Sequence, residues 1–281
     1  MFYLILSILS AALLAVAMRL SEGKINSKLS MLAINYLACM IVGVGYMGAD
    51  HLIPSGEGVV PMLGMGLING IFYAWGLVMN QKNTSLNGVV LTSVFSKMGG
   101  LLIPLAVSIV LFREDPTLVQ ILGFVISTVA IVMICQRGEE SGSGKIYIGA
   151  LVMLFAADGF GGIMAKVFRE MGNPLLGDHF LFLTFLTAFV ICIVIVAVKK
   201  ERPGKNELFY GTLIGVPNFM QARFQLLALE TIPAVVVYPV RSVGTILVIT
   251  LAGVLMFREK LNKKQLAALA AILVSLVLLN I

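Results

Sequence analysis

Lys97, Asp158, Arg223 and Arg241 each sit inside a long apolar run of a chain that otherwise keeps its charges in short clusters between such runs. A charged side chain at bilayer depth costs about 2.5–3.5 kcal/mol even on lenient insertion scales, so it usually faces a polar cavity or a partner. Three cations and one acid offer two kinds of chemistry. Lys and Arg hold anions through charge-assisted hydrogen bonds, and Arg can grip a carboxylate or phosphate with two parallel bonds. A lone carboxyl responds to its surroundings, since desolvation favours its neutral form and a nearby cation its charged form.

Lys97 lies in Ser96-Lys97-Met98-Gly99-Gly100 and Arg241 in Tyr238-Pro239-Val240-Arg241-Ser242. Both are candidate substrate-binding residues, two sides of a cationic cradle. The alternative is that each snorkels to an interface or pairs with Asp158 or a helix-end carbonyl. Asp158, within Ala156-Ala157-Asp158-Gly159-Phe160-Gly161-Gly162, is the candidate for proton coupling. Against that stands a structural salt bridge to Arg241, Arg223 or Lys97. Further substrate-binding candidates are Asn69 and Tyr73, four residues apart, and Asn35, Asn218, Gln221 and Arg223. Asn218 and Gln221 can share a helical face, but Arg223 cannot join both of them. Tyr238 precedes Pro239, whose missing N–H frees a helix carbonyl. Interhelical hydrogen bonding is the ordinary alternative for the uncharged members of this set.

The elements that must position these residues are transmembrane helices. Only 12% of the 281 residues are charged and 59% are hydrophobic, with a mean hydropathy of +1.00. Soluble domains carry about 25% charged residues, so the chain reads as a polytopic membrane protein. Apolar runs of spanning length predict ten helices: Phe2–Met18, Leu29–Met47, Val59–Asn80, Leu86–Phe112, Thr117–Cys135, Ile146–Phe168, His179–Val198, Leu208–Leu229, Ile232–Phe257 and Leu266–Ile281. The one flexible-looking connection, Gln136–Lys145, lies near the midpoint and contains Gly-Glu-Glu-Ser-Gly-Ser-Gly.

About that midpoint the chain reads as duplicated. A shift of 145 residues carries Phe112-Arg113-Glu114 onto Phe257-Arg258-Glu259 and Gln120 onto Gln265. The same shift carries Gly66, Gly70 and Gly99 onto Gly211, Gly215 and Gly244. It predicts two repeats, residues 1–137 and 146–281, joined by a linker at 138–145. With five spans each, an odd number, the repeats insert with opposite orientation. Inverted repeats are a common plan for secondary transporters, with the solute site at their interface near the midplane. The predicted fold is therefore an all-α transmembrane bundle of two inverted five-helix repeats around a central cavity.

The helix-end phrases carry a family resemblance. Leu111-Phe112-Arg113-Glu114 and Met256-Phe257-Arg258-Glu259, each followed by Gln120 or Gln265 and an apolar run, resemble the paired signatures of the EamA-type drug/metabolite transporters. The preceding stretches match in layout: Thr84-Ser85 then Val89-Val90, and Glu230-Thr231 then Ala234-Val235, with Pro104 and Pro239 following. Pro239 lies earlier in its span than Pro104 does, so the two walls need not be equivalent. The resemblance covers the whole chain and implies a ten-helix basket that works by alternating access without ATP. It also implies, by analogy with the small multidrug members of the superfamily, that a single intramembrane carboxylate can couple protons.

Lys and Arg in the loops set orientation. One set of alternate loops holds Arg19, Lys24, Lys28, Lys82, Arg137, Lys145, Lys199, Lys200, Arg202, Lys205, Arg258, Lys260, Lys263 and Lys264; the other holds Arg113, Lys166 and Arg169. The rich side is expected in the cytoplasm and both termini outside. The first run lacks a positive leader and reads as a span rather than a cleavable signal. Cys39, Cys135 and Cys192 fall within spans and suggest buried hydrophobes, not a disulfide frame.

A secondary transporter of a small anionic or zwitterionic metabolite (amino acid, organic acid or sugar phosphate) ranks first. A lipid-carrier flippase or an integral-membrane enzyme is the alternative, although two separated His supply no catalytic cluster. No phosphate loop ending in Lys-Ser/Thr occurs, which disfavours an ATP-driven pump. No cofactor, metal or catalytic residue is expected. The expected partners are the metabolite and the lipid bilayer of the cell membrane, not nucleic acid; the formal charge of +6 lies mostly on one membrane face.

Overall fold

The computed structural model of the protein describes residues 1–48, 53–135, 147–257 and 263–279. They form nine α-helices and a short 3-10 turn at Pro174–Leu176, with no strand among the described residues. The helices are α1 (Phe2–Ser21), α2 (Lys28–Met47), α3 (Val59–Val110), α4 (Leu118–Cys135), α5 (Ile148–Met171), α6 (Gly177–Val198), α7 (Lys205–Ala228), α8 (Ala234–Phe257) and α9 (Lys263–Leu279). Arg258, Glu259 and the central linker lie outside the described residues.

Nine helices account for ten predicted spans because α3 runs through the third and the fourth. The expected break at 81–85 is absent for a physical reason. Gln81-Lys82-Asn83-Thr84-Ser85 contains neither Gly nor Pro, the residues that disfavour helix most strongly. The Asn83 amide also donates to the Met79 carbonyl one turn back at 2.9 Å and to the Ala150 carbonyl at 2.8 Å.

Among the described residues, six segments are long and apolar enough to cross a bilayer: Phe2–Ser21, Lys28–Met47, Val59–Asn80, Ile148–Met171, Pro174–Val198 and Ala234–Met256. Shorter apolar helices occupy Phe95–Val110, Leu118–Met133 and Leu266–Leu279. Many large apolar side chains on the helices are exposed. On α1, Phe2, Ile5, Leu9 and Leu13 recur at helical spacing with 69%, 55%, 44% and 62% of their surface exposed. Such a stripe is a liability in water and an asset in lipid.

Two compact units make up the fold, each drawn from both halves of the sequence: Met1–Ala74 with Val167–Glu230, and Trp75–Lys166 with Thr231–Ile281. In the first unit α7 packs on α1 and α2, and α6 packs on α2. Glycines set the closest approaches. A Cβ on Gly70 would stand 2.4 Å from Thr187 Cβ on α6, and one on Gly215 would stand 2.5 Å from Ala38 Cβ on α2. Gly66 meets Leu183, and Gly211 meets Ile34, one turn earlier along the same two crossings. Phe185 of α6 anchors the core between, against Tyr36, Tyr73 and Phe219.

In the second unit α4, α8 and α9 pack together. Here α3 crosses α5 almost backbone to backbone: a Cβ on Gly99 would meet the Phe155 carbonyl oxygen at 2.2 Å, and one on Gly159 would meet Ile103 Cδ1 at 2.3 Å. Glu114, which follows α3, caps α8. Its two oxygens accept from the Ala234 N–H at 3.0 Å and the Val235 N–H at 2.8 Å. Lys166 pairs with the same carboxylate at 2.7 Å and is itself only 5% exposed. Lys166 is thus an intrahelical buried cation, not the loop charge that the sequence suggested.

Candidate substrate and coupling site

Asp158 projects from the glycine-rich part of α5 toward α3, and α3 accommodates it at Gly76. A Cβ at that position would lie 2.6 Å from Asp158 Oδ1. The Ser96 hydroxyl donates to the Asp158 carboxylate, and the Lys97 charge is close enough to act on it. Asp158 is half-buried and Lys97 is exposed. The structure therefore brings two of the sequence candidates together and adds two that the sequence did not flag, Ser96 and Gly76. Of the three cations named as partners for Asp158, Lys97 is the one beside it.

Tyr238 and Arg241 lie on α8 in the same unit. Tyr238 is 2% exposed and its hydroxyl donates to the Gly162 carbonyl at 2.9 Å, one turn beyond Asp158. That bond ties α8, next to Pro239, to α5. Arg241 is half-buried three residues on. Lys97 and Arg241 thus belong to one compact unit although they come from different halves of the sequence.

The remaining candidates lie in the first unit. Gln221 donates to Asn218 Oδ1 at 2.9 Å, and Asn218 donates to Asn35 Oδ1 at 3.1 Å. The backbone carbonyl of Gln221 also accepts from Ser7 at 2.9 Å. This chain of amides joins α7 to α2 and α1, and Asn35 and Asn218 are 1% and 7% exposed. Satisfied polar bonds of this kind explain how α7, the most polar of the helices, sits among apolar ones.

Arg223 faces elsewhere. Its Nε and a terminal nitrogen bond the two oxygens of Asp178 at 2.7 and 3.2 Å, and its guanidinium lies 4.1 Å from the centroid of the Tyr46 ring. Sequence reasoning missed Asp178 because it falls just before the predicted seventh span, next to His179. In the folded chain it occupies the first turn of α6, where a carboxylate complements the helix dipole.

Asn69 and Tyr73 share a face of α3. The Asn69 amide nitrogen donates to Thr184 Oγ1 at 3.1 Å, and Thr184 passes its own proton to the Phe180 carbonyl at 2.8 Å. That relay fixes which way the amide points. Asn69 Oδ1, on a residue 4% exposed, accepts no hydrogen bond from the described residues. Tyr73 packs edge-on against Phe185 at 5.9 Å between centroids.

Residues 145–281 match the sequence model of the EamA-like transporter family. That match covers the second half of the chain, just under half of its residues. Its long apolar helices are those of a multi-pass integral membrane protein, and the matched family is one of transporters. The chain is 21% identical over 271 residues to an uncharacterized protein of Haemophilus influenzae, covering 92% of this chain and 91% of that protein. Its fold is that of a solved crystal structure, at a TM-score of 0.78 over 99% of this chain and 98% of the other, with 14% identity.

Proposed function

We propose that the protein is a secondary transporter for a small anionic or zwitterionic metabolite, of the amino acid, organic acid or sugar phosphate class, and that Asp158 couples transport to protons. The observation that carries this reading is the Asp158–Ser96–Lys97 cluster at the Gly76 gap in α3. Two of the intramembrane cations have dedicated acids, Arg223 with Asp178 and Lys166 with Glu114. Lys97 instead acts on Asp158. When an anionic substrate engages Lys97, the cation's hold on the Asp158 carboxylate weakens and the carboxylate takes up a proton. When the substrate leaves, Lys97 again favours the ionised acid. One carboxyl thereby binds a proton together with the substrate and releases it when the substrate leaves, without ATP. Asn69 and Tyr73 serve as neutral contacts, the free acceptor of Asn69 suiting the donor end of a zwitterion.

The inverted-repeat plan, residues 1–137 and 146–281 about a linker, belongs to the same proposal. It is supported by the reciprocal use of matched glycines. Gly66 and Gly70 of the first half seat a helix of the second, and Gly211 and Gly215 of the second half seat a helix of the first.

The test is uptake of labelled metabolites into proteoliposomes with and without a pH gradient. Wild-type protein is expected to accumulate its substrate only with the gradient. Asp158→Asn is expected to keep substrate exchange and lose accumulation, and Arg241→Gln to raise the concentration for half-maximal uptake. Gradient-driven accumulation unchanged in Asp158→Asn would remove the coupling role.

A further inference from the structure

The first unit carries a second polar assembly, outside the apolar spans, where the α1–α2 and α6–α7 connections meet. Glu207, ahead of the predicted Leu208–Leu229 span, is 1% exposed and accepts from the backbone N–H groups of Asn26 at 2.6 Å and Ser27 at 3.1 Å. Its other oxygen accepts from Gly204 N–H at 3.0 Å. Asn206 donates to the Lys24 carbonyl at 2.6 Å, and the Ser27 hydroxyl donates to Glu201. Two loops about 180 residues apart in sequence are thereby clasped into one surface.

The clasp leaves the surface strongly basic. Glu207 and Glu201 are engaged by the loops, while Lys24, Lys28, Lys199, Lys200, Arg202 and Lys205 are exposed, with Glu22 an exposed acid among them. Directly beside these cations Leu208 and Phe209 expose 58% and 62% of their surface, and Lys24 lies 5.6 Å over the Tyr210 ring. Cations next to exposed apolar and aromatic side chains mark headgroup depth. Polybasic segments at that depth attract anionic lipid. A charge bias that served insertion alone would need no fixed arrangement of the loops; the buried carboxylate holding them together gives a preorganised surface, which binds without paying to order itself.

We propose that this clasped face binds the phosphate group of an anionic phospholipid. Each loop contributes cations, Leu208 and Phe209 enter the acyl region, and Glu207 holds the arrangement without touching the lipid. The site is independent of the substrate route and stands or falls separately from it.

The experiment uses the full chain in phosphatidylcholine nanodiscs containing increasing phosphatidylglycerol, with lipid retained on mild detergent extraction measured by native mass spectrometry. Wild-type protein is expected to retain phosphatidylglycerol several-fold over its share of the bilayer. The variant carrying Lys24→Gln, Lys199→Gln, Lys200→Gln and Lys205→Gln is expected to lose that enrichment while melting as wild type does in pure phosphatidylcholine. Glu207→Gln separates a built site from diffuse attraction. It raises the net positive charge, so diffuse attraction predicts equal or greater retention, whereas loosening the clasp predicts less. Retention maintained in Glu207→Gln, enrichment unchanged in the quadruple variant, or an equal thermal shift from inorganic phosphate in pure phosphatidylcholine would each overturn the proposal.

Discussion

Asp158 meets α3 only because position 76 lacks a side chain, so the carboxyl proposed to couple protons and its glycine form a pair. Gly76→Ala would place a Cβ 2.6 Å from Asp158 Oδ1. Overpacking of this kind typically costs about 1–3 kcal/mol. Here the carboxylate can swing away, so the expected result is a modest loss of melting temperature with a disproportionate loss of gradient-driven uptake. Substrate exchange in Asp158→Asn/Gly76→Ala equal to that in Asp158→Asn alone would tie the defect to the displaced carboxyl; a further loss of exchange in the double variant would tie it to packing. Arg223 calls for the opposite expectation. Its bidentate partner Asp178 and the Tyr46 ring occupy its guanidinium, with the pair's side chains 22% and 25% exposed. Arg223→Gln is expected to cost about 1 kcal/mol of stability, near the upper end for partly exposed pairs. Asp178→Asn in the same chain should recover part of it. Substrate affinity should hold throughout, and a large rise in half-maximal concentration for Arg223→Gln would return it to the binding set.

Among the elements, the span pattern was readable from composition, and so was the glycine match at 66, 70, 211 and 215, because both depend on local sequence. What escaped was pairing across distance. Nothing near Asp178, Glu114 or Glu207 in sequence points to Arg223, Lys166 or the Asn26–Ser27 backbone. The continuity of α3 escaped too, since a polar stretch between apolar runs reads as a loop even when it contains no helix breaker. Glu114 was legible only as part of a helix-end phrase; that it caps the start of α8 was not. Glu207 gives this scale its pH test. Burial alone would raise its carboxyl, but backbone N–H groups of Asn26, Ser27, Glu207 and Gly204 outweigh that and hold it below the usual range. With the folded value below the unfolded one, near 4.3, the clasp's contribution is present in full above the unfolded value. It is lost as pH falls through the folded one. Melting temperature followed from pH 7 downward should therefore drop further on acidification in wild type than in Glu207→Gln, which has no carboxylate to protonate. Parallel curves would mean that the clasp carries no linked proton.

At the scale of the whole molecule, orientation is decided by a competition among loop charges, and the structure changes the count. Lys166 is 5% exposed and paired with Glu114, so it is a packed interior charge and not a loop cation facing water. Removing it leaves Arg113 and Arg169 on the sparse side against the long series from Arg19 to Lys264 on the other. Positive residues near span ends hold their side in the cytoplasm, so both chain termini are predicted outside. Alkaline phosphatase fused after Ile281, which is active only outside, should be active, and green fluorescent protein at the same place should be dark. The prediction can also be pushed from within. Neutralising Lys199, Lys200, Arg202 and Lys205 together takes four cations from the rich side. Because cations elsewhere on that side remain, the phosphatase signal should weaken without switching to fluorescence. Bright fluorescence in the unmodified chain would place the termini inside and reverse the sidedness of the clasped basic face, without altering the pairing within either unit.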